Sequence, residues 1–230
     1  MLTLHEVVVI FGPTRALDGV TLTARAGERM GLVGPNGAGK TTLLDAACGL
    51  VAPASGRIEL GGVALAGRDP AAAARLGVAR TFQSPRLFPH LTVAENIRCG
   101  RRLDPAPWVA WAELSPRRDD LAEALTPGEA RRLELARALA GAPRLLLLDE
   151  PCGGLSASET DAMATLIERA ASPERAMIMV EHRLGVVGRL CARVVALSAG
   201  TVIFDGPPAA LGRDPRVAEA YLGRRRPVTA

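Results

Sequence analysis

The chain predicts an α/β fold: a mainly parallel sheet flanked by helices, with an antiparallel β subdomain at its start and a short helical subdomain within it. Three observations carry this expectation. Strand-like and helix-like stretches alternate from Arg29 onward, which implies crossover helices packed on a parallel sheet. A glycine-rich turn, Gly34–Thr42, follows the apolar run Met30–Val33 and precedes the helix-like Leu43–Ala47. The run Leu145–Leu148 is apolar at every position, as in a strand buried on both faces.

Taken in order, Thr3–Phe11 alternates and is rich in β-branched residues, so it reads as a strand that Gly12-Pro13 turns. Val20–Ala24 and Arg29–Val33 are further strands, separated by the turn Ala26-Gly27-Glu28. A helix runs from the glycine-rich turn to Cys48, with Gly49 at its C-terminal end. Ser55–Gly62 is a strand bounded by turns, Asp69–Leu76 an alanine-rich helix, and Val78–Phe82 a short strand. Between Gln83 and Leu125 the composition changes, with two tryptophans and many prolines and charges. Residues 84–125 therefore form a small helical insert, helical near Thr92–Arg101 and Asp119–Leu125, between the two core segments 1–83 and 126–230. Trp108 and Trp111 are expected to pack helices there. Pro127–Ala140 has a helical pattern with Leu133, Ala136, Leu139 and Ala140 on one face. After Leu145–Leu148 come a helix at 157–171, a strand Ala176–Glu181, a helix Leu184–Leu190, and strands Val194–Ser198 and Thr201–Asp205.

A chain of 230 residues with 48% hydrophobic content can bury a sizeable core. No apolar run approaches the length that spans a bilayer, and the start Met1–Glu6 lacks the features of a signal peptide, so a cytoplasmic product is expected. Cys48, Cys99, Cys152 and Cys191 are far apart and form no C-x-x-C pair, which favours reduced thiols over a zinc site. The net charge of +4 fits a polyanionic small ligand as well as it fits nucleic acid or anionic lipid. With one tyrosine, four phenylalanines and two tryptophans there is little base-stacking surface, so nucleic acid is not an expected partner.

The stretch Gly34-Pro35-Asn36-Gly37-Ala38-Gly39-Lys40-Thr41-Thr42 fits G-x-x-x-x-G-K-[ST] in the required strand–turn–helix context, the mark of a P-loop NTPase core. Its glycines let backbone N–H groups approach phosphate oxygens, and the helix start at Thr41 adds its positive end. Lys40 is the single lysine of the chain and is placed to reach the β- and γ-phosphates; the Thr41 hydroxyl would ligate Mg²⁺. In Leu145–Pro151 two acids end a buried strand, at the edge where open α/β sheets bind ligands. Asp149 would hold Mg²⁺, through water, opposite Thr41, and Glu150 would polarise water for attack on the γ-phosphate.

These motifs, together with Gln83, Leu125–Glu129 and His182, stand in the order and context of an ABC transporter ATP-binding subunit, which the chain resembles from about Leu4 to Gly223. Ala79-Arg80-Thr81-Phe82-Gln83, Arg86-Leu87-Phe88, Leu91–Asn96 and the ending Asp214–Gly223 resemble the branched-chain amino acid importers, in particular the ATPase that carries A-R-T-F-Q. The resemblance implies an ATPase using ATP and Mg²⁺ as a peripheral subunit at the cytoplasmic face of the inner membrane. It further implies a second ATPase subunit, two transmembrane permease subunits and an extracytoplasmic binding protein. It assigns Gln83 to Mg²⁺ and the attacking water, His182 to the γ-phosphate, and Phe11 to stacking on adenine.

The pattern breaks in three places. The signature of the family, L-S-G-G-Q or L-S-x-G-Q, reads Leu125-Thr126-Pro127-Gly128-Glu129. Thr126 keeps a hydroxyl and Gly128 the close backbone approach, but Glu129 brings a carboxylate near the γ-phosphate bound by the opposite subunit. Ser156 stands where Asp or Asn is usual, and the insert is short. Three functions are weighed: a motor subunit importing branched-chain or related amino acids (or another small polar solute such as urea or amides), a nucleotide-binding assembly subunit with weak turnover, and a nucleic-acid ATPase. The last ranks lowest, because such proteins usually fuse two ATPase units and this chain has one phosphate loop. The tail Arg224-Arg225-Arg226 is read as a solvated terminus.

Overall fold

Apolar–polar alternation makes β1 (Leu2–Phe11), which turns at Gly12 and returns as β2 (Thr14–Ala24). In the computed structural model, which describes residues 1–65, 69–99 and 102–222, β3 (Arg29–Val33) then leads into α1 (Lys40–Ala47). Gly49, at φ 77°, follows that helix as the sequence leads one to expect. β4 (Ser55–Leu60) and β5 (Val63–Ala64) complete an antiparallel sheet of order β2-β1-β4-β5. α2 (Pro70–Arg75), capped by the Asp69 side chain, precedes the short β6 (Val78–Arg80).

The insert holds α3 (Val93–Arg98), α4 (Ala106–Trp111) and two single 3₁₀ turns, Ser115–Arg117 and Ala122–Ala124. One sequence expectation is corrected here, and one helix is found that the sequence reading did not place. Asp119–Leu125 is not a helix: Leu121 is extended and bridges Thr92, the Asp120 carbonyl accepts from the Val93 N–H, and the Ala122 N–H donates to the Leu91 carbonyl. Backbone groups that pair with the start of α3 are not available for a helical ladder. Conversely, the proline-rich Asp104–Trp108 starts a helix, since proline in a first turn removes only an orphan donor. The far end of the Thr92–Arg101 expectation and Arg224–Arg226 lie outside the described residues. Trp108 and Trp111 pack edge to face at 6.3 Å, half-buried between the insert and the main core.

The remaining elements are α5 (Pro127–Leu139), β7 (Leu145–Asp149), α6 (Ala157–Arg169), β8 (Ala176–Val180), α7 (Leu184–Leu190), β9 (Arg193–Ser198), β10 (Thr201–Gly206), α8 (Pro208–Leu211) and α9 (Pro215–Leu222). The second sheet has the order β10-β9-β3-β8-β7-β6, parallel throughout except for the β9–β10 hairpin. Two-residue periodicity sends Leu145, Leu147, Ile178 and Val180 to a core shared with α1 and the antiparallel sheet. Leu146, Leu148, Met177 and Met179 face the opposite way, against α5, α6 and α7. A third cluster holds the insert and draws Leu133 and Ala136 from α5, so that helix packs against both bodies. Among the described residues no helix is long and apolar enough to cross a membrane.

Candidate nucleotide site

The loop after β3 is built around two glycines that no other residue could replace. Gly34, at φ 147°, would place a Cβ 2.2 Å from the Leu197 carbonyl oxygen; Gly39, at φ 101°, would place one 2.4 Å from that of Ala16. Between them the chain turns sharply into α1, whose first residue is Lys40 and whose N-cap, Gly39, offers no side-chain acceptor. The first-turn N–H groups are thus left to the cleft, with the positive end of the helix behind them. Lys40 is buried, and its ammonium donates to the carbonyls of Gly34 (2.8 Å) and Pro35 (2.9 Å). Desolvation holds its pKa below the ordinary lysine value, while Glu150 and Asp149 act the other way.

β7 lies between β6 and β8, so its C-terminal acids emerge beside residues of both neighbours. Asp149 is buried; burial pushes its carboxyl above the ordinary range, and the Arg80 guanidinium opposes that shift. Glu150 turns out of the sheet in the left-handed region, at φ 48°. A non-glycine residue there is costly by roughly 1–3 kcal/mol and persists only where the surroundings hold it. They do so here: the Glu150 N–H donates to the Val180 carbonyl (3.0 Å), and Arg131 donates to the Glu150 carbonyl (2.9 Å).

The structure brings the separated candidates together on that carboxylate. His182, just past β8, places Nε2 at 2.8 Å from Glu150 Oε1, and Gln83, just past β6, donates Nε2–H to Oε2 at 3.2 Å. Glu181 fixes the histidine's backbone, accepting from the N–H groups of His182 (3.1 Å) and Cys152 (2.9 Å). Asn36, Gly37, Gly39, Lys40, Thr41, Thr42, Gln83, Glu150 and His182 all line one cleft of about 510 Å³. Pro35 and Ala38 form the loop's inner wall, with Ala38 buried and its N–H donating to the Pro35 carbonyl (3.2 Å). Phe11 stands at the tip of the first hairpin, opposite Thr14, about half exposed and outside the cleft's lining.

The donor types, rather than a preformed cage, suit a divalent cation held jointly with a ligand; Asp149 itself is buried and is not among the residues that line the cleft. Among the described residues no three His, Cys, Asp or Glu side chains form a cage. Thr41, Gln83 and Asp149 instead offer a hydroxyl, a carboxamide and a carboxylate, hard oxygens too few to complete a shell alone. That is the donor set of Mg²⁺ bound with phosphate oxygens and water.

Thr126, Gly128 and Glu129 are not part of this cleft; they line a separate hollow of about 220 Å³ with Arg132, Ser158 and Glu159. Their sequence is a capping box: the Thr126 hydroxyl accepts from the Glu129 N–H (3.3 Å), and the Glu129 carboxylate accepts from the Thr126 N–H (2.9 Å). The Thr126 N–H, with Arg117 and Arg132 nearby, holds Glu129 below the ordinary glutamate range, so it is a carboxylate at neutral pH. Ser156 and Glu159 repeat the device at the start of α6. Gly128 is closed over by Glu159, whose Oε1 would stand 2.7 Å from a Cβ.

Sequence reasoning missed the residues that hold the Gln83 segment. Arg131, Glu134 and Arg137 share one face of α5 by i, i+3 spacing. Arg131 donates to the Gln83 carbonyl (2.9 Å), Glu134 accepts from Phe82 (3.2 Å) and Arg86 (2.9 Å), and Arg137 donates to the Arg86 carbonyl. Their charge inside a helical pattern was the available signal: Glu134 lies between Leu133 and Leu135 and is buried. Thr14, Arg15 and Ala16, which line the cleft from β2, carried none.

Comparison with known proteins places this geometry in context. A family model described as ABC transporter matches residues 17–153, and one described as Branched-chain amino acid ATP-binding cassette transporter matches residues 201–226. The chain is 33% identical, over 93% of its length and 94% of the relative, to the high-affinity branched-chain amino acid transport ATP-binding protein BraF of Pseudomonas aeruginosa. It is 32% identical to LivG of Escherichia coli, over 97% and 98% of the two chains. It is also 38% identical, over 89% of its length but 40% of the relative's, to the arabinose import ATP-binding protein AraG 2 of Burkholderia thailandensis. Among solved structures, a nucleotide-free ATP-binding cassette from an ABC transporter superposes with a TM-score of 0.89 at 25% identity, covering 97% and 99% of the chains. The ADP conformation of MJ1267 superposes at 0.87 and 25% identity, covering 97% and 98%.

Proposed function

The chain belongs to the ABC transporter ATP-binding family, and from that premise we propose that it powers import of branched-chain or related amino acids. It is an ABC importer ATPase that binds ATP and ADP. In the proposed assembly it pairs with a second ATPase subunit on two membrane permease subunits, served by an extracytoplasmic binding protein, at the cytoplasmic face of the inner membrane. A groove of about 490 Å³ lined by Arg86, Phe88, Cys99 and Arg137 adjoins the Gln83 segment and is the surface we assign to the permease.

The observation that carries the reading is the convergence of Gln83 and His182 on the Glu150 carboxylate beside the phosphate loop. Lys40 exchanges its two loop carbonyls for β- and γ-phosphate oxygens, which the first-turn N–H groups of α1 also bind. Phe11 covers the adenine. Thr41, Gln83 and Asp149 would hold Mg²⁺, which when bound would offset the negative charge of the phosphates. Glu150 accepts the proton of the attacking water, and Gln83 orients that water. His182 follows the γ-phosphate from its place on Glu150. Thr126, Gly128 and Glu129 face the nucleotide of the second ATPase. Lys40→Ala in the assembled importer is expected to abolish both uptake and ATP turnover; unchanged uptake refutes the motor role.

A second reading, an assembly subunit with weak turnover, draws on one observation: the ionised Glu129 at the signature. ATPase assays with and without the partner ATPase and permeases separate the two. The substrate itself is set by the other subunits, and the likeness to AraG 2 keeps other solutes in view. Identification of chains co-purified from membranes decides it.

A further inference from the structure

Arg80 has appeared so far only as the charge beside Asp149, yet its guanidinium joins two elements of the site. It lies at the end of β6, with 6% of its side chain exposed. Nη2 donates to Asp149 Oδ2 at 2.8 Å, while Nη1 pairs with Asp45 on α1 and approaches Cys48 Sγ at 3.7 Å. Beneath it the Phe82 ring lies 4.9 Å from the guanidinium carbon and carries Arg86 at 4.1 Å on the same ring. Strand pairing makes the position rigid: Arg80 is opposite Leu147 of β7, and the next residue's N–H donates to the Leu147 carbonyl at 2.9 Å.

We propose that Arg80 is a positioning residue for the cation site, fixing the Asp149 carboxylate relative to the helix that carries Thr41. The inference rests on reading Asp149 and Thr41 as the cation's protein ligands. The two stand on different elements, β7 and α1, and a site shared between them needs their separation held. Asp45 is four residues beyond Thr41 on α1, so the Asp45–Arg80–Asp149 chain spans that gap. Among the described residues hydrogen bonds reach Asp149 at Oδ2, leaving Oδ1 for the cation or its water. Stability is a poor reason for such an arrangement, because a buried ion pair roughly breaks even against well-packed apolar side chains. A lysine keeps the charge but, as a single point donor, cannot serve two carboxylates in one plane.

The test is the ratio of affinities for adenylyl imidodiphosphate measured with Mg²⁺ and with EDTA. Arg80→Lys is expected to leave the EDTA affinity within about twofold and to lower the ratio at least fivefold. A merely structural role would weaken both affinities alike and leave the ratio unchanged, which overturns the proposal. Asp149→Asn is the control: if it too leaves the ratio unchanged, the reading of Asp149 fails first. If it collapses the ratio and Arg80→Lys does not, only the role of Arg80 fails. Should Arg80→Lys not fold, Asp45→Asn decides, since that side chain is 27% exposed and an amide is tolerated there. A two- to fivefold lower ratio supports the proposal, and an unchanged one overturns it.

Discussion

Glu129→Gln is the most informative single change, because it alters the charge of the signature without altering its shape. The glutamate caps α5 through its Oε2, and glutamine closes the same capping box, so the cost in stability stays within about 0.5 kcal/mol. In the proposed dimer, what changes is a carboxylate that would face the second subunit's nucleotide. At about 6 Å from a unit charge on the γ-phosphate, with an effective dielectric constant of about 20, the repulsion is about 3 kcal/mol. The side chain is partly shielded, and Arg117 Nε at 3.8 Å offsets part of the charge. Taking the offset as roughly half leaves about 1–1.5 kcal/mol, or a five- to tenfold effect on turnover. The assay is steady-state hydrolysis by the heterodimer in which this chain carries Glu150→Gln, so that only the partner's site turns over. Adding Glu129→Gln is expected to raise that rate five- to tenfold. No change, or a gain seen only when the partner's catalytic glutamate is replaced instead, refutes the trans role of this signature.

Two further expectations concern stability. Burial holds the Glu134 carboxyl above the ordinary glutamate range, against the N–H groups of Arg86 and Phe82. The folded protein thus keeps that proton longer than the unfolded chain, so its contribution is full below the unfolded pKa and lost as pH rises through the folded one. Glu134→Gln should therefore gain melting temperature relative to the parent as pH rises through that window, and a constant difference across pH refutes the assignment. Gly37→Ala, at φ 76° with open space around it, should cost about 1 kcal/mol in urea unfolding. Gly39→Ala meets the Ala16 carbonyl at 2.4 Å as well and should cost about 3 kcal/mol or more; equal costs would contradict the packing of the loop against β2.

The phosphate loop and the acid pair were legible because each is a local pattern. A strand, a glycine-rich turn and a helix start are contiguous, and four leucines before Asp149 say on their own that its strand is buried. The antiparallel start and the β3-to-β10 alternation were legible for the same reason, through two-residue periodicity. The insert was read least well. Its α4 begins among prolines and carries no clear periodic pattern, and its 119–125 segment has a helical composition but spends its backbone on the start of α3. The capping box at Thr126 and Glu129 is a local T-x-x-E pattern, legible without tertiary structure.

The chemistry on offer is written in the residue order: a lysine in a phosphate loop, two acids at a strand end, a glutamine, a histidine and an altered signature. Which of these touch follows from the packing of the strands. Gln83 and His182 meet Glu150 across 67 and 32 residues of chain, and Arg80 meets Asp149 across 69. The reason is the strand order β3-β8-β7-β6, which sets the ends of β6, β7 and β8 side by side. Periodicity shows that a strand is buried; it carries no record of which strand lies next to it, and that neighbour supplies the second half of each contact.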